Sequence, residues 1–150
     1  MASHQLSFSA SVLQKDGPCI RIEISAPSFD LAEGLSVGLA FPPPFGINAV
    51  IDTGASLTVV NPEVAATCKL RATGFVTVAS VEKFGRYPQH AARIKFPGSE
   101  LGEFDGIPVV ACKIAKQPYA CLIGRDILRS WRVTYNGGKG SVLIEELLSR

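Results

Sequence analysis

The chain has 150 residues, of which 47% are hydrophobic and 19% charged, so it can bury a substantial core and is not a disordered tail. The net charge of +2 comes from 15 basic and 13 acidic residues spread along the sequence, and no block of like charge could track a phosphate backbone, which argues against nucleic acid as a partner. No run approaches the ~20 apolar residues of a membrane span, and the start of the chain lacks the basic and apolar regions of a signal peptide. One domain over 1–150, away from membranes and in the cytoplasm, is the expectation.

Cys19, Cys68, Cys112 and Cys121 are too far apart for a paired-thiol metal motif, and His4 and His90 are the only histidines, so no metal or other cofactor is expected. In a reducing compartment the thiols would stay free as small buried hydrophobes. Cys112 and Cys121 could still face each other across a hairpin.

From the N-terminus, Leu6, Phe8 and Ala10 alternate with serines, residues 14–18 break the pattern, and Ile20, Ile22 and Ile24 alternate with Arg21, Glu23 and Ser25. This predicts a β-hairpin. A further strand is expected over 35–41, ended by Pro42-Pro43-Pro44, which offer no backbone donor. A strand over 49–52 then runs into a turn. Val59-Val60 continues as strand, and Asn61-Pro62-Glu63 supplies an N-cap, a first-turn proline and an early acid for a short helix through Thr67.

Residues 74–96 read as a long hairpin, with Val76, Val78 and Val81 on one side and Ile94 and Phe96 on the return. Asp105-Gly106 reads as a turn before strands over 107–112 and 119–123. Gly124-Arg125-Asp126 opens a helix that places Ile127, Leu128 and Trp131 on one face, with Arg125 and Asp126 expected as an ion pair and cap. The chain ends in a hairpin, Val133 and Tyr135 pairing with Val142 and Ile144 around a glycine-rich turn. The sum is an all-β domain, sandwich or barrel, with one or two short helices.

Asp52-Thr53-Gly54-Ala55 follows the apolar run Ala49-Val50-Ile51, which holds an acid at the edge of a buried sheet. Peptide hydrolysis by carboxyl groups needs one carboxylate to take a proton from water while a second, protonated, polarises the scissile carbonyl. The chain carries one such motif, so the second acid must come from another chain. A Thr after the acid can lock the loop across the site, and a Gly after that lets substrate approach closely. The plainer role for Asp52 is a turn acid that caps the amides of Gly54 or Ala55.

About 70 residues later Leu122-Ile123-Gly124 leads into Arg125-Asp126 and a helix. The two motifs in this order resemble retropepsins, the single-lobed aspartic proteases, of a bacterial rather than retroviral type, over roughly 46–135. The resemblance implies a closed β lobe that works as a homodimer, with Asp52 as catalytic acid, Thr53 gripping the partner loop, and Gly54 and Ala55 completing the loop. The long hairpin falls where the family has its flap, which makes Val81, Phe84, Gly85 and Tyr87 flap candidates. Leu122, Ile123, Gly124, Arg125 and Asp126 would support the loop from beside it. Substrate would be a peptide in extended conformation, added to sheet edges as a strand, with apolar side-chain preference.

Ser56 stands where many retroviral members carry an acid that pairs with the equivalent of Arg125, so Arg125 must find another partner. Ala55 lacks the hydroxyl that Ser supplies there in pepsin-like relatives, which implies activity best at mildly acidic pH. No Gly-x-Ser-x-Gly elbow surrounds any serine, so a serine triad with His90 is not expected. The alternatives of another class are a catalytically silent dimeric peptide-binding module of the same fold and a lobe that needs a different partner chain.

Overall fold

Ile20, Ile22 and Ile24 are buried to 4% or less while Arg21 between them is exposed, the period-two signature of a strand with one face in the core. Each such side chain contributes about 1.5–3 kcal/mol by leaving water. The computed structural model describes residues 1–79 and 84–147. In chain order the elements are β1 (Ser3–Ser7), α1 (Ala10–Asp16), β2 (Cys19–Ser25), α2 (Ser28–Ser36), β3 (Phe45–Ile51), β4 (Val59–Val60), α3 (Pro62–Thr67), β5 (Ala72–Ala79), β6 (Phe84–Lys95), β7 (Phe104–Ala111), β8 (Cys121–Ile123), α4 (Arg125–Leu128), β9 (Trp131–Asn136) and β10 (Ser141–Glu146).

Seven strands form one sheet in the order β2-β3-β8-β4-β7-β6-β5. Because β2 also pairs with β6, through Glu23 to Lys95, Ile24 to Ile94 and Ser25 to Arg93, the first six close into a barrel and β5 hangs from its rim as the outer strand of a hairpin. Closure removes the free edges that a flat sheet would expose. A second sheet, β1-β10-β9, packs Val142, Ile144 and Trp131 onto the core. Trp131 lies edge-on against Phe96 and Phe104, at centroid separations of 5.1 and 6.2 Å.

The expected all-β lobe, the strand into Asp52, the helix after Asn61, the long hairpin and the C-terminal hairpin are all present. The described residues hold four short helices where one or two were expected, and four expectations about individual elements fail. Leu6 and its neighbours do not pair with β2: β1 lies against β10, and α1 intervenes, capped by the Ser9 hydroxyl accepting from the Val12 amide at 3.2 Å and pinned by buried Leu13. Residues 35–41 are not a strand; Leu35, Val37 and Leu39 stay exposed at the end of α2 and beyond it. Trp131 begins β9 rather than lying on a helix, since α4 ends at Leu128. Asp105 and Gly106 lie inside β7, where Gly106, at φ +82°, is the unpaired residue of a bulge between the pairs Ala92–Ile107 and Arg93–Asp105.

Cys112 and Cys121 do not face each other, because β4 separates their strands: Val60 pairs with Cys121 on one side and Ala111 on the other. All four cysteines are free. Burial pushes the Cys68 thiol up to about 11 and raises Cys121 further, so neither is a thiolate at neutral pH. Among the described residues no helix is long and apolar enough to cross a membrane.

Candidate active site

Strand β3 delivers Asp52 to the rim of the barrel. Its amide donates to the Ile123 carbonyl at 2.9 Å, one step beyond the last β3–β8 pair, and its carbonyl accepts from the Ala55 amide at 3.2 Å to turn the chain. The Gly54 amide donates to Asp52 Oδ1 at 2.9 Å, the turn-acid hydrogen bond expected of an Asp before Thr-Gly. Oδ2 has no hydrogen-bond partner among the described residues. Asp52 and Ala55 are half-buried, and Thr53, Gly54 and Ser56 are exposed.

The loop is held from below by α4. Thr58, fully buried, donates its hydroxyl to Asp126 Oδ1 at 2.7 Å and its amide to Oδ2 at 3.1 Å, and its oxygen accepts from the Gly124 amide at 3.2 Å. Gly124 is required by contact: a Cβ there would stand 2.5 Å from the backbone carbon and oxygen of Leu57. Arg125 donates Nη1 to the Thr53 carbonyl at 2.7 Å, and its amide donates to the Ala55 carbonyl at 2.8 Å. That is the other partner Arg125 needed in place of an acid at Ser56. The expected Arg125–Asp126 ion pair is not formed among the described residues, because each side chain is turned to a different part of the loop, and Gly124 rather than a side chain occupies the N-cap of α4.

Register assigns the walls. Cys19 pairs with Val50, Val50 with Leu122, Leu122 with Val59, Val59 with Val110 and Val110 with Gln89, so these side chains share one face of the sheet. Ile20, Ala49, Cys121 and Val60 share the other and fill the core. Asp52, two residues beyond Val50, lies on the first face. Leu122 therefore borders the acid, and Ile123 anchors its backbone from the core side.

Along the hairpin, Val76 pairs with Tyr87 and Val78 with Gly85; these four are partly covered and continue that face through Gln89. Phe75, Thr77 and Ala79 pair with Pro88, Arg86 and Phe84 on the reverse. Phe84, 84% exposed, thus points away from the face that Tyr87 and Gly85 share, so the three described flap candidates do not converge. Val81 lies outside the described residues. The Cys112 thiol beside the Tyr87 phenol, through polar interaction and charge, and then burial raise the phenol's pKa. Its ring covers Gly85, where a Cβ would meet it at 2.4 Å.

Two residues of the site had no clear sequence signal. Thr58 reads as one more β-branched residue in the run to Val60. Tyr119 reads as a strand aromatic, yet it lies within electrostatic range of Cys19, Asp52 and Asp16, whose charges add to burial in raising its phenol. Among the described residues no three His, Cys, Asp or Glu side chains converge to hold a metal.

No protein-family model matches the chain and no curated protein matches it. Among solved structures it is similar to a retropepsin-like aspartic protease from Rickettsia conorii, at 12% identity, over 95% of this chain and 89% of that one, with a TM-score of 0.55. The fold is retropepsin-like and all-β; at that identity the likeness is one of fold.

Proposed function

We propose that the chain is an aspartic endopeptidase that works as a homodimer, hydrolysing peptide bonds with a water activated between the two Asp52 carboxylates. The observation that carries this reading is the setting of Asp52: one carboxylate oxygen is oriented by the Gly54 amide, and the loop around it is fixed by Thr58, Arg125 and Asp126. A turn acid alone needs no such support. The retropepsin-like fold supports the same reading.

In this mechanism one carboxylate takes the water proton and its protonated counterpart donates to the scissile carbonyl, the two roles being separated because like charges at contact cannot both ionise. Thr53, exposed at the tip, grips the partner loop, and Gly54 leaves room for substrate backbone. Leu122 and Val59, both half-buried, form an apolar floor beside the acid, and Tyr87 continues the same face on the hairpin.

Digestion of a peptide library by wild type and Asp52→Asn, with sedimentation at the assay concentration, tests the proposal. Cleavage by wild type alone, from a dimer, is expected. Cleavage by both proteins or by neither, or activity from a monomer, overturns it.

A further inference from the structure

The turn between α1 and β2 is laid across the same face of the sheet as Asp52. The Ile51 amide, one residue before the acid, donates to the Pro18 carbonyl at 3.0 Å, and a Cβ on Gly17 would stand 3.0 Å from Val50 Cγ2, so this turn rests on the Val50 side chain. The Cys19 thiol donates to the Asp16 carbonyl at 3.7 Å, tying the last residue of α1 to the row Cys19–Val50–Leu122. From the other side, the Asn48 side chain donates to the Pro118 carbonyl at 3.4 Å and the Ala120 amide to the Asn48 carbonyl at 3.0 Å, which brings Tyr119 over that face.

Asp16 is half-buried and has no ion-pair partner among the described residues. It is an unspent negative charge at the margin of an otherwise apolar floor. Besides its burial, the Asp52 and Asp16 charges raise the Tyr119 phenol, consistent with their sharing one surface. An amphipathic side chain fits that surface: its methylenes lie along Leu122 and the Tyr119 ring, both half-buried, and its cationic head reaches the carboxylate.

We infer that Asp16, with Tyr119, makes a charge-selective subsite beside Asp52 that favours peptides carrying arginine or lysine within two residues of the scissile bond. This rests on the protease reading for the words scissile bond, but the charge selection is a property of binding and can be measured apart from cleavage. It also modifies the purely apolar preference expected from the sequence.

The probes are labelled peptides with a single arginine, norleucine or glutamate walked through the two positions on either side of the centre. Binding is measured by anisotropy to Asp52→Asn protein, and cleavage is measured with wild type. At one position arginine is expected to bind about tenfold more tightly than norleucine, Asp16→Asn to remove that advantage, and Asp16→Lys to move it to glutamate. Inversion by Asp16→Lys is a readout that a merely structural role for Asp16 would not move. Equal arginine preference in all three proteins, or none in any, overturns the inference. Preference that follows Asp16 without cleavage of any peptide upholds it and removes the protease reading; Asp52-dependent cleavage with preference blind to Asp16 does the reverse.

Discussion

Thr58 and Asp126, 68 residues apart, are joined twice: the hydroxyl donates to Oδ1 at 2.7 Å and the amide to Oδ2 at 3.1 Å. The threonine oxygen also accepts from the Gly124 amide, so one buried hydroxyl fastens both the Asp52 loop and the end of β8 to α4. Thr58→Val keeps the shape and deletes that oxygen. It should lower unfolding free energy by about 2–4 kcal/mol, because an ionised carboxylate and a buried amide each lose a partner, and urea midpoints at pH 7 measure it. Asp126→Asn, which can keep one of the two bonds, should cost less.

Arg125 is exposed yet donates to the Thr53 carbonyl, so its contribution to monomer stability is small, about 1 kcal/mol. Its effect should fall on assembly. If Thr53 grips the partner loop, Arg125→Gln raises the dimer dissociation constant about tenfold with little change in melting temperature. Sedimentation over a concentration series reads this, and unaltered dimerisation would show that Thr53 needs no such support.

Gly124→Ala forces a methyl into the backbone of Leu57, 2.5 Å away, where no flexible side chain can give way. About 3 kcal/mol should be lost. Gly138→Ala is the control: its Cβ would find only Asn136 Oδ1 at 3.8 Å, and the change should stay within about 0.5 kcal/mol. Equal denaturation midpoints for the two variants would contradict the contact argument.

His90 has its Nδ1 buried without a partner, and burial lowers its pKa below the ordinary 6.5. The unfolded chain therefore takes up the proton first as pH falls. Stability from this group is complete above about pH 6.5 and is lost progressively below it, down through the folded value. Melting temperatures of wild type and His90→Gln between pH 7.5 and 5 should converge toward the acid end; parallel curves would rule the effect out.

Ala55 is half-buried at the turn, its amide and carbonyl both engaged, with no hydroxyl to offer the Asp52 carboxylate. Ala55→Ser adds a donor that favours the charged form, so the pH–activity profile should move to lower pH, by about one unit or less. A profile that moves to higher pH in the variant contradicts the proposed chemistry.

The local code was legible where a segment decides its own structure. Val50 and Ile51 before Asp52, Pro62 at the start of α3, and the alternation of Val76 and Val78 each follow from steric preferences of neighbouring residues, whereas the expected Asn61 side-chain cap is not made, its oxygen accepting instead from the Ile114 amide at 2.7 Å. It failed where a distant group decided. Helix α2 has no side-chain cap of its own; the Ser28 amide is capped by Asp105 Oδ1 at 3.0 Å, 77 residues away, so Leu35 to Phe41 kept a strand-like alternation that no sheet uses. Trp131 satisfied a helical spacing, but its partners Phe96, just after β6, and Phe104, at the start of β7, drew it into β9.

Residue order sets the available chemistry: one acid on a Thr-Gly turn, an apolar approach, and no other convergent motif. Residue types and spacing of a few positions suffice for that, since they set charge, turn geometry and pleat. Tertiary structure alone decided the surroundings of the acid. Barrel closure and strand register put Val50, Leu122, Val59 and Tyr87 on its face and Phe84 on the reverse, and bring Thr58 to Asp126, Arg125 to Thr53, and Asp16 and Tyr119 to the margin. Those relations depend on which strands pair, and pairing minimises exposed edges and buried unpaired groups over the whole chain, a condition that no short window of sequence contains.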